Sequence, residues 1–327
     1  MRAVVITEPG GPHVLRMSTI EEPVPGPDDL LVEVRATALN RADLIQRMGR
    51  YPAPPGTRQD VPGLEMAGVV ATVGERVSGL VTGDRVFGLL GGGGYAEKVV
   101  THARMVAPIP AGLSFVEAAA VPEVFITAYD ALFNLGGLKM GEVALIHAVG
   151  SGVGTAAVQL AHHAGATTMG TAGSAEKLRK AAELGLDVGI NYREEDFLAV
   201  IQERTGGRGA DVILDVVGAS YWERNIAALA ALGRLILVGT MGGAEVSVRL
   251  SNLMSKRLRV YGTALRVREP EEKIALTRQL EKHVLPLLSS DQIKPVVDRV
   301  FPLEEAAAAH AYMEANLNFG KIVLSLE

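Results

Sequence analysis

Between Glu142 and Glu176 the chain carries no Asp, Glu, Lys or Arg. So long a stretch without charge fits either a helix in lipid or a packed interior unit. It contains "GSGVG" (150–154), which suits both. Gly150 and Gly154 form the GxxxG seam of a membrane helix, or the turn that lets a backbone touch a ligand. A spanning helix needs about 20 apolar residues. Here, however, glycines at 150, 152, 154, 165, 170 and 173 and the polar Gln159, His162 and His163 interrupt the run, and no aromatic belt flanks it. Each glycine inside a helix costs about 1 kcal/mol relative to alanine. The residues favour the turn, and no membrane span is expected.

The flanking segments support that choice. "EVALIHAV" reads as a strand and "GVGTAAVQLAHHAG" as a helix. "TTMGTAG" reads as a second strand and "SAEKLRKAAELG" as a second helix, N-capped by Ser174 with Gly185 past its end. "DVGINY", "EEDFLAVIQERTG", "ADVILDVVG", "SYWERNIAALAALG" and "RLILVGT" continue as strand, helix, strand, helix and strand. Alternation of this kind predicts a parallel sheet flanked by helices. Strands as apolar as "DVILDVV" fit burial on both faces. Residues 1 to about 120 differ. Short strands such as "AVVIT", "LLVEVRATALN", "AGVVATVG", "GDRVFGLL" and "YAEKVV" are broken by "EEPVPGPDD" and "YPAPPG", the pattern of an all-β barrel or sandwich. "GGGG" (91–94) reads as a mobile turn. After about residue 250 the pattern returns to mixed α and β, with a charged helix around 269–289. The length of 327 residues is that of about two domains.

Composition removes several classes of function. With a net charge of -5 and no basic stripe, nucleic acid is not an expected partner. With no cysteine, disulfides, thiol catalysis and cysteine-ligated metals are excluded. "MRAVVITEPGGP" lacks the apolar core of a signal peptide and reads as a strand running into a turn, so the cytoplasm is the expected compartment.

A strand, a glycine turn and a helix together place helix N-terminal amides where a dinucleotide pyrophosphate binds. Aligned to G-x-G-x-x-G on its last glycine, the motif departs at Val149 and Ser151. An NAD site usually offers an acid about 20 residues on, for the ribose 2′-hydroxyl. Here that region reads "MGTAGSAEKL", whose only acid, Glu176, falls inside the predicted helix. Ser174 and Lys177 stand where a 2′-phosphate wants a hydroxyl and a cation. NADPH is therefore the expected cofactor.

The chain resembles the medium-chain dehydrogenase/reductase superfamily, and within it the zinc-free NADPH:quinone oxidoreductases related to zeta-crystallin. The resemblance runs through "ALNRADLIQRMGRYPAPPG" (38–56), "PGLEMAGVV" (62–70), "GGGGYAEKV" (91–99), "AAAVPEVFITAYDAL" (118–132), "HAVGSGVGTAAVQLA" (147–161), "NYREEDF" (191–197) and "NFGKIVL" (318–324). It implies an α/β fold: a Rossmann doubly wound parallel sheet domain (123–259) set into a β-rich GroES-like catalytic domain (1–122 and 260–327), with the cleft at their junction. Zinc-dependent members place a cysteine just before an Asp and a His in "GHE". This chain has Asn40 ahead of Asp43 and "GLE" at 63–65, so no metal is expected. His162 and His163, adjacent on a helix, point about 100° apart.

The resemblance also implies roles. Asn40 and Tyr51 lie with the substrate, and Thr127 lies near the nicotinamide. Gly150, Ser151, Gly152 and Val153 lie under the pyrophosphate. Gly173, Ser174, Lys177 and Tyr192 surround the 2′-phosphate. Gly218, Gly239 and Thr240 end the later Rossmann strands. Ala264 and Arg266 touch the nicotinamide by main chain, and Asn318 and Lys321 make C-terminal cofactor contacts. The expected activity is hydride transfer from NADPH to a quinone or quinone-like acceptor, in a homodimer joined through Rossmann sheet edges. Two alternatives stand beside it: an alkenal or enone double-bond reductase with the same cofactor, and a non-enzymatic NADPH-binding protein.

Overall fold

The computed structural model describes residues 1–326. The chain forms two compact units, one from residues 1–126 with 265–327 and the other from 127–264. In chain order, the first unit begins with strands β1 (Arg2–Ile6) and β2 (Leu15–Thr19), which pair antiparallel. β3 (Asp29–Ala38), helix α1 (Arg41–Arg47), β4 (Glu65–Val73), β5 (Arg85–Leu89), β6 (Lys98–His102) and β7 (Val106–Pro108) follow, then α2 (Phe115–Ala119) and α3 (Pro122–Tyr129).

The second unit holds β8 (Val143–Ile146), α4 (Gly152–His163), β9 (Thr167–Ala172), α5 (Ala175–Ala182), β10 (Val188–Asn191) and α6 (Phe197–Arg204). It continues through β11 (Ala210–Asp215), α7 (Trp222–Ala228), β12 (Leu229–Leu237), α8 (Leu250–Lys256) and β13 (Arg259–Gly262). The chain returns to the first unit as α9 (Pro270–His283), α10 (Leu285–Ser289), β14 (Val297–Pro302), α11 (Ala306–Glu314) and β15 (Lys321–Ser325).

The sheet of the first unit has the order β14-β15-β3-β4-β5-β7, with β6 also paired to β3. β15 lies antiparallel to β3, Val323 opposite Ala38, so the C-terminal strand completes a sheet begun near the N-terminus. Leu30, Val32, Met66, Val70 and Val86 fill its core.

In the second unit all neighbouring strands are parallel, in the order β10-β9-β8-β11-β12-β13. That is the doubly wound 3-2-1-4-5-6 arrangement, whose direction reverses between β8 and β11. β8 and β11 are buried at every residue, which explains why they read as continuous apolar runs. The uncharged stretch is thus β8, α4 and β9 packed in one α/β layer. Among the described residues no helix is long and apolar enough to cross a membrane.

Two expectations differ in detail. "SYWERNIAALAALG" was expected to be one helix, but α7 stops at Ala228 and β12 begins at Leu229. Leu229 pairs with Ala210 and Arg234 with Val212, so the residues between bulge out, and Leu232 takes a left-handed backbone (φ 65°). The charged helix of 269–289 is broken at Val284 into α9 and α10. Pro286, at the start of α10, lacks the amide that would continue α9.

Gly154 is fixed by close approach. A Cβ there would press on the Ala148 carbonyl and lie 2.7 Å from Val149 Cα. Overpacking of this kind typically costs about 1–3 kcal/mol. Gly154→Ala is expected to lower the unfolding free energy by that amount in urea titration; unchanged stability would show that the turn has room to spare.

Candidate active site

In the second unit the glycine turn joins β8 to α4. Ser151 is the N-cap, and its Oγ accepts from Gly154 N at 3.0 Å. Gly152 and Val153 form the first turn of α4, so their amides have no intrahelical acceptor and point past the helix end. Val149 is fully buried against Gly170, where any Cβ would strike it. It shapes the turn from beneath, and its place in the glycine motif is a packing role.

Beside the turn, β9 ends at Ala172 without an acid, and Ser174 caps α5, its Oγ accepting from Lys177 N at 3.3 Å. Tyr192, exposed on one side, sits against Gly173; a Cβ at 173 would lie 2.6 Å from the Tyr192 hydroxyl and 3.3 Å from Arg193 Nε. Gly173, Ser174, Lys177 and Tyr192 are therefore gathered in one place. Arg193, a second cation there, was missed in the sequence although it follows Tyr192 directly. Further along the sheet, Gly239, Thr240 and Ala264 line a cavity of about 440 Å³ at the ends of β12 and β13. Gly218 takes φ 83°, and its amide is held by Asp215 Oδ2 at 3.1 Å. Thr127 sits nearly buried on α3.

A buried polar chain ties these loops together. His147 Nδ1 lies 3.0 Å from Thr171 Oγ1, and its Nε2 donates to Asn225 Oδ1, 2.7 Å away. Asn225 in turn donates to Asp215 Oδ2 at 3.0 Å. Burial holds the His147 pKa down to about 4 and pushes Asp215 up to about 6. At neutral pH the imidazole is uncharged, and its two nitrogens act as a fixed spacer between β9 and α7.

The first unit holds a second cluster, centred on the buried Glu65. Lys321 Nζ donates to Glu65 Oε1 (2.7 Å), Asn40 Oδ1 (2.7 Å) and the Leu39 carbonyl (2.6 Å). Asn40 Nδ2 donates to the same Glu65 oxygen at 2.8 Å, and Glu65 Oε2 accepts from Glu123 N at 2.8 Å. Asp43 closes the capping box of α1. It accepts from Asn40 N and from Gly63 N, and burial raises its pKa to about 6. Arg266 donates to the Gly91 and Tyr51 carbonyls and to Gln46 Oε1, and its guanidinium lies 5.1 Å from the Tyr51 ring centroid.

Two residues that the resemblance assigns to ligands lie in this network. The ammonium of Lys321 donates three hydrogen bonds inside the protein. Asn40 accepts from Lys321 through Oδ1 and donates to Glu65 through Nδ2, which fixes the position of its side chain. Asn318 Nδ2 donates to Gly320 O at 2.8 Å, a local turn bond. Among the described residues the Tyr51 hydroxyl makes no hydrogen bond.

Two family models match the chain: an alcohol dehydrogenase GroES-like domain over residues 26–111 and a zinc-binding dehydrogenase over residues 152–281. It is 33% identical to the quinone oxidoreductase of Lama guanicoe over 330 residues, covering 100% of this chain and 98% of the relative. This chain belongs to the quinone oxidoreductase family. Within that family, and the medium-chain dehydrogenase/reductase superfamily that contains it, two solved structures share the fold throughout. The Escherichia coli quinone oxidoreductase complexed with NADPH matches at 32% identity and a TM-score of 0.91, covering 99% of this chain and 100% of that one. An NAD-dependent alcohol dehydrogenase matches at 36% identity and 0.90, over 100% of both chains. The zinc in one family model's description does not fit this member. Glu65 is already neutralised by Lys321, Leu64 stands before it, and among the described residues no three His, Cys, Asp or Glu side chains gather to hold a metal.

Removing one partner of a buried ion pair strands the other charge, typically at a cost of about 3–5 kcal/mol. Lys321→Met is expected to lose that much in urea unfolding, and Lys321→Met with Glu65→Gln to recover part of it. A single variant as stable as the parent would show that Lys321 does not support this cluster.

Proposed function

We propose that the chain is an NADPH-dependent, metal-independent reductase of quinones and quinone-like acceptors. The observation that carries the reading is the pairing of an open glycine turn on α4 with an acid-free end of β9. The amides of Gly152 and Val153 face outward where a pyrophosphate binds, and a helix N-terminus favours that negative charge. The fit of the turn to a dinucleotide rests on Gly154, where backbone passes too close for any side chain. At the other phosphate, Ser174, Lys177, Tyr192 and Arg193 supply hydroxyls and two cations, and β9 ends without a carboxylate of its own. These features favour NADPH over NADH, although one close structural relative uses NAD. Ala264, Gly239 and Thr240 offer backbone and a hydroxyl along the cavity at the strand ends, where open α/β sheets bind ligands.

When bound, NADPH supplies the hydride. The chain's own work is to hold the acceptor and to stabilise the charge that forms on its oxygen. Tyr51 is suited to both. Its ring offers a face for a planar acceptor, and its hydroxyl is a free donor for the developing oxyanion. Desolvation and the nearby Glu123 raise the Tyr51 pKa, which keeps the hydroxyl protonated and donating. Arg266 clamps the loop that carries Tyr51. We also propose a homodimer through the open β13 edge, supported by the exposed Val246, Val248, Leu250 and Met254 nearby.

Turnover of 1,2-naphthoquinone is expected to exceed that of a 2-alkenal with NADPH; the reverse order would favour the enone reductase. Lys177→Ala is expected to weaken NADPH about tenfold, with NADH affinity unchanged and Arg193 accounting for the remaining preference. Equal weakening of both cofactors would move the 2′-phosphate elsewhere. For the dimer, Leu250→Asp with Met254→Asp is expected to yield a monomer by light scattering; an unchanged mass would place the interface on another face.

A further inference from the structure

Three polar side chains of the first unit end without a partner although each is at least half-buried. They are the Tyr51 hydroxyl, the Glu123 carboxyl and the Lys273 ammonium. None of the three makes a side-chain hydrogen bond or ion pair among the described residues, while the groups around them are saturated. Glu65, Lys321, Asn40, Asp43 and Arg266 all bond to one another or to main chain. Lys273 is the clearest case, only 9% exposed on α9. No side-chain polar atom that is fully buried lacks a partner among the described residues, so these three ends reach solvent and are open to a polar ligand.

Tyr51 and Lys273 both lie within electrostatic reach of Glu123. Glu123 is held in place through its own amide, which donates to Glu65 Oε2 at 2.8 Å, and Glu65 is in turn fixed by Lys321 and Asn40. The carboxyl is thereby anchored by main chain while its oxygens stay free.

We propose that Glu123 is the proton donor for the acceptor, with Tyr51 as the hydrogen-bond donor and Lys273 as the cation that receives the resulting carboxylate. The inference rests on the reductase reading above. In the step, the hydride adds to one quinone oxygen as the donor C–H bond breaks, and the π electrons shift through the ring onto the second oxygen. The anion that forms accepts the Glu123 proton, one O–H bond forming as the carboxyl O–H breaks. Quinone, hydride and proton together make hydroquinone, and the Glu123 carboxylate regains its proton from solvent.

The charge environment agrees with this role. Burial is the first cause that raises the Glu123 pKa, and the Glu65 and Asp43 carboxylates add to it. Lys321 and Arg266 pull the other way, leaving a pKa of about 8. From the remaining packed elements, Tyr51 faces the group on its loop, and Lys273 on α9 stands with Glu269 beside it. A carboxyl with a raised pKa is protonated below that value and loses its proton as pH rises through it. The donor form therefore dominates at pH 7.

The test is Glu123→Gln, an isosteric change that keeps the backbone anchor. With NADPH and 1,2-naphthoquinone, wild-type kcat is expected to fall as pH rises through about 8. The variant is expected to lose about 100-fold in kcat at pH 7, a magnitude typical of a general acid, and to lose the pH-dependent limb. NADPH affinity, followed by fluorescence, is expected to stay within twofold. An independent readout needs no turnover: infrared spectra of the free protein are expected to show a carboxylic-acid C=O band that titrates near pH 8 and is absent from the variant. A variant with wild-type kcat and the same limb, or a wild type lacking that band, would overturn the proposal while leaving quinone reduction standing. A wild type that reduces neither quinone nor enone would overturn the reductase reading, and this proposal with it.

Discussion

The bond between Lys321 and Glu65 organises the catalytic unit. Lys321 opens β15, the last strand of the chain, and Glu65 opens β4; Asn40 and Leu39 lie between β3 and α1, and Glu123 starts α3. One ammonium and one carboxylate thus pin four segments brought together from across the sequence. Neither group is solvated, so each depends on the other: at low dielectric an isolated charge is far more costly than the pair. Their satisfaction also explains why the neighbouring groups are free to act. With Glu65 neutralised by Lys321, the unpaired carboxyl of Glu123 sits beside a balanced pair and not beside a bare negative charge.

The second unit is organised by close backbone approach. Gly154 lets α4 start directly over the Ala148 carbonyl, Gly170 makes room for Val149, and Gly173 lets Tyr192 lie on the main chain. At all three places the missing side chain lets two segments touch. The uncharged stretch follows from the same requirement. Each of its residues lies in a strand buried on both faces, on a helix packed over those strands, or in a turn that must stay bare.

How much of this was legible follows from the range of each signal. Local periodicity is written in neighbouring residues, so the alternation of β8 to β13 with their helices, the Ser174 cap and the acid-free end of β9 could all be read directly. Long-range pairing leaves no such trace. Nothing in "NFGKIVL" indicates that Lys321 meets Glu65, 256 positions away, so its charge was assigned to the cofactor. The bonds of Asn40 to Glu65 and Lys321 are equally long-range. Arg193 and Glu123 stood inside quoted motifs without an assigned role, because the neighbours each one meets are brought together only in the folded chain. The end of α7 was missed because "AALAALG" favours helix, while pairing with β11 overrides that preference from Leu229 onward.

The two clusters also divide the chemical work in a way that the missing thiolates make intelligible. A metal site would use Glu65 and its neighbours to hold a Lewis acid that polarises the substrate oxygen. Here the same positions are closed by an ammonium, which can neutralise a carboxylate but has no open coordination site. Stabilising the acceptor oxygen then falls to hydrogen-bond donors, and around this cluster Tyr51, Glu123 and Lys273 make no side-chain hydrogen bond among the described residues. A weak set of donors suffices for an acceptor whose own conjugation already spreads the negative charge. It is poorly matched to the removal of a proton and hydride from an unactivated alcohol. The preference for quinone-like acceptors is thus a consequence of how the buried charges are paired.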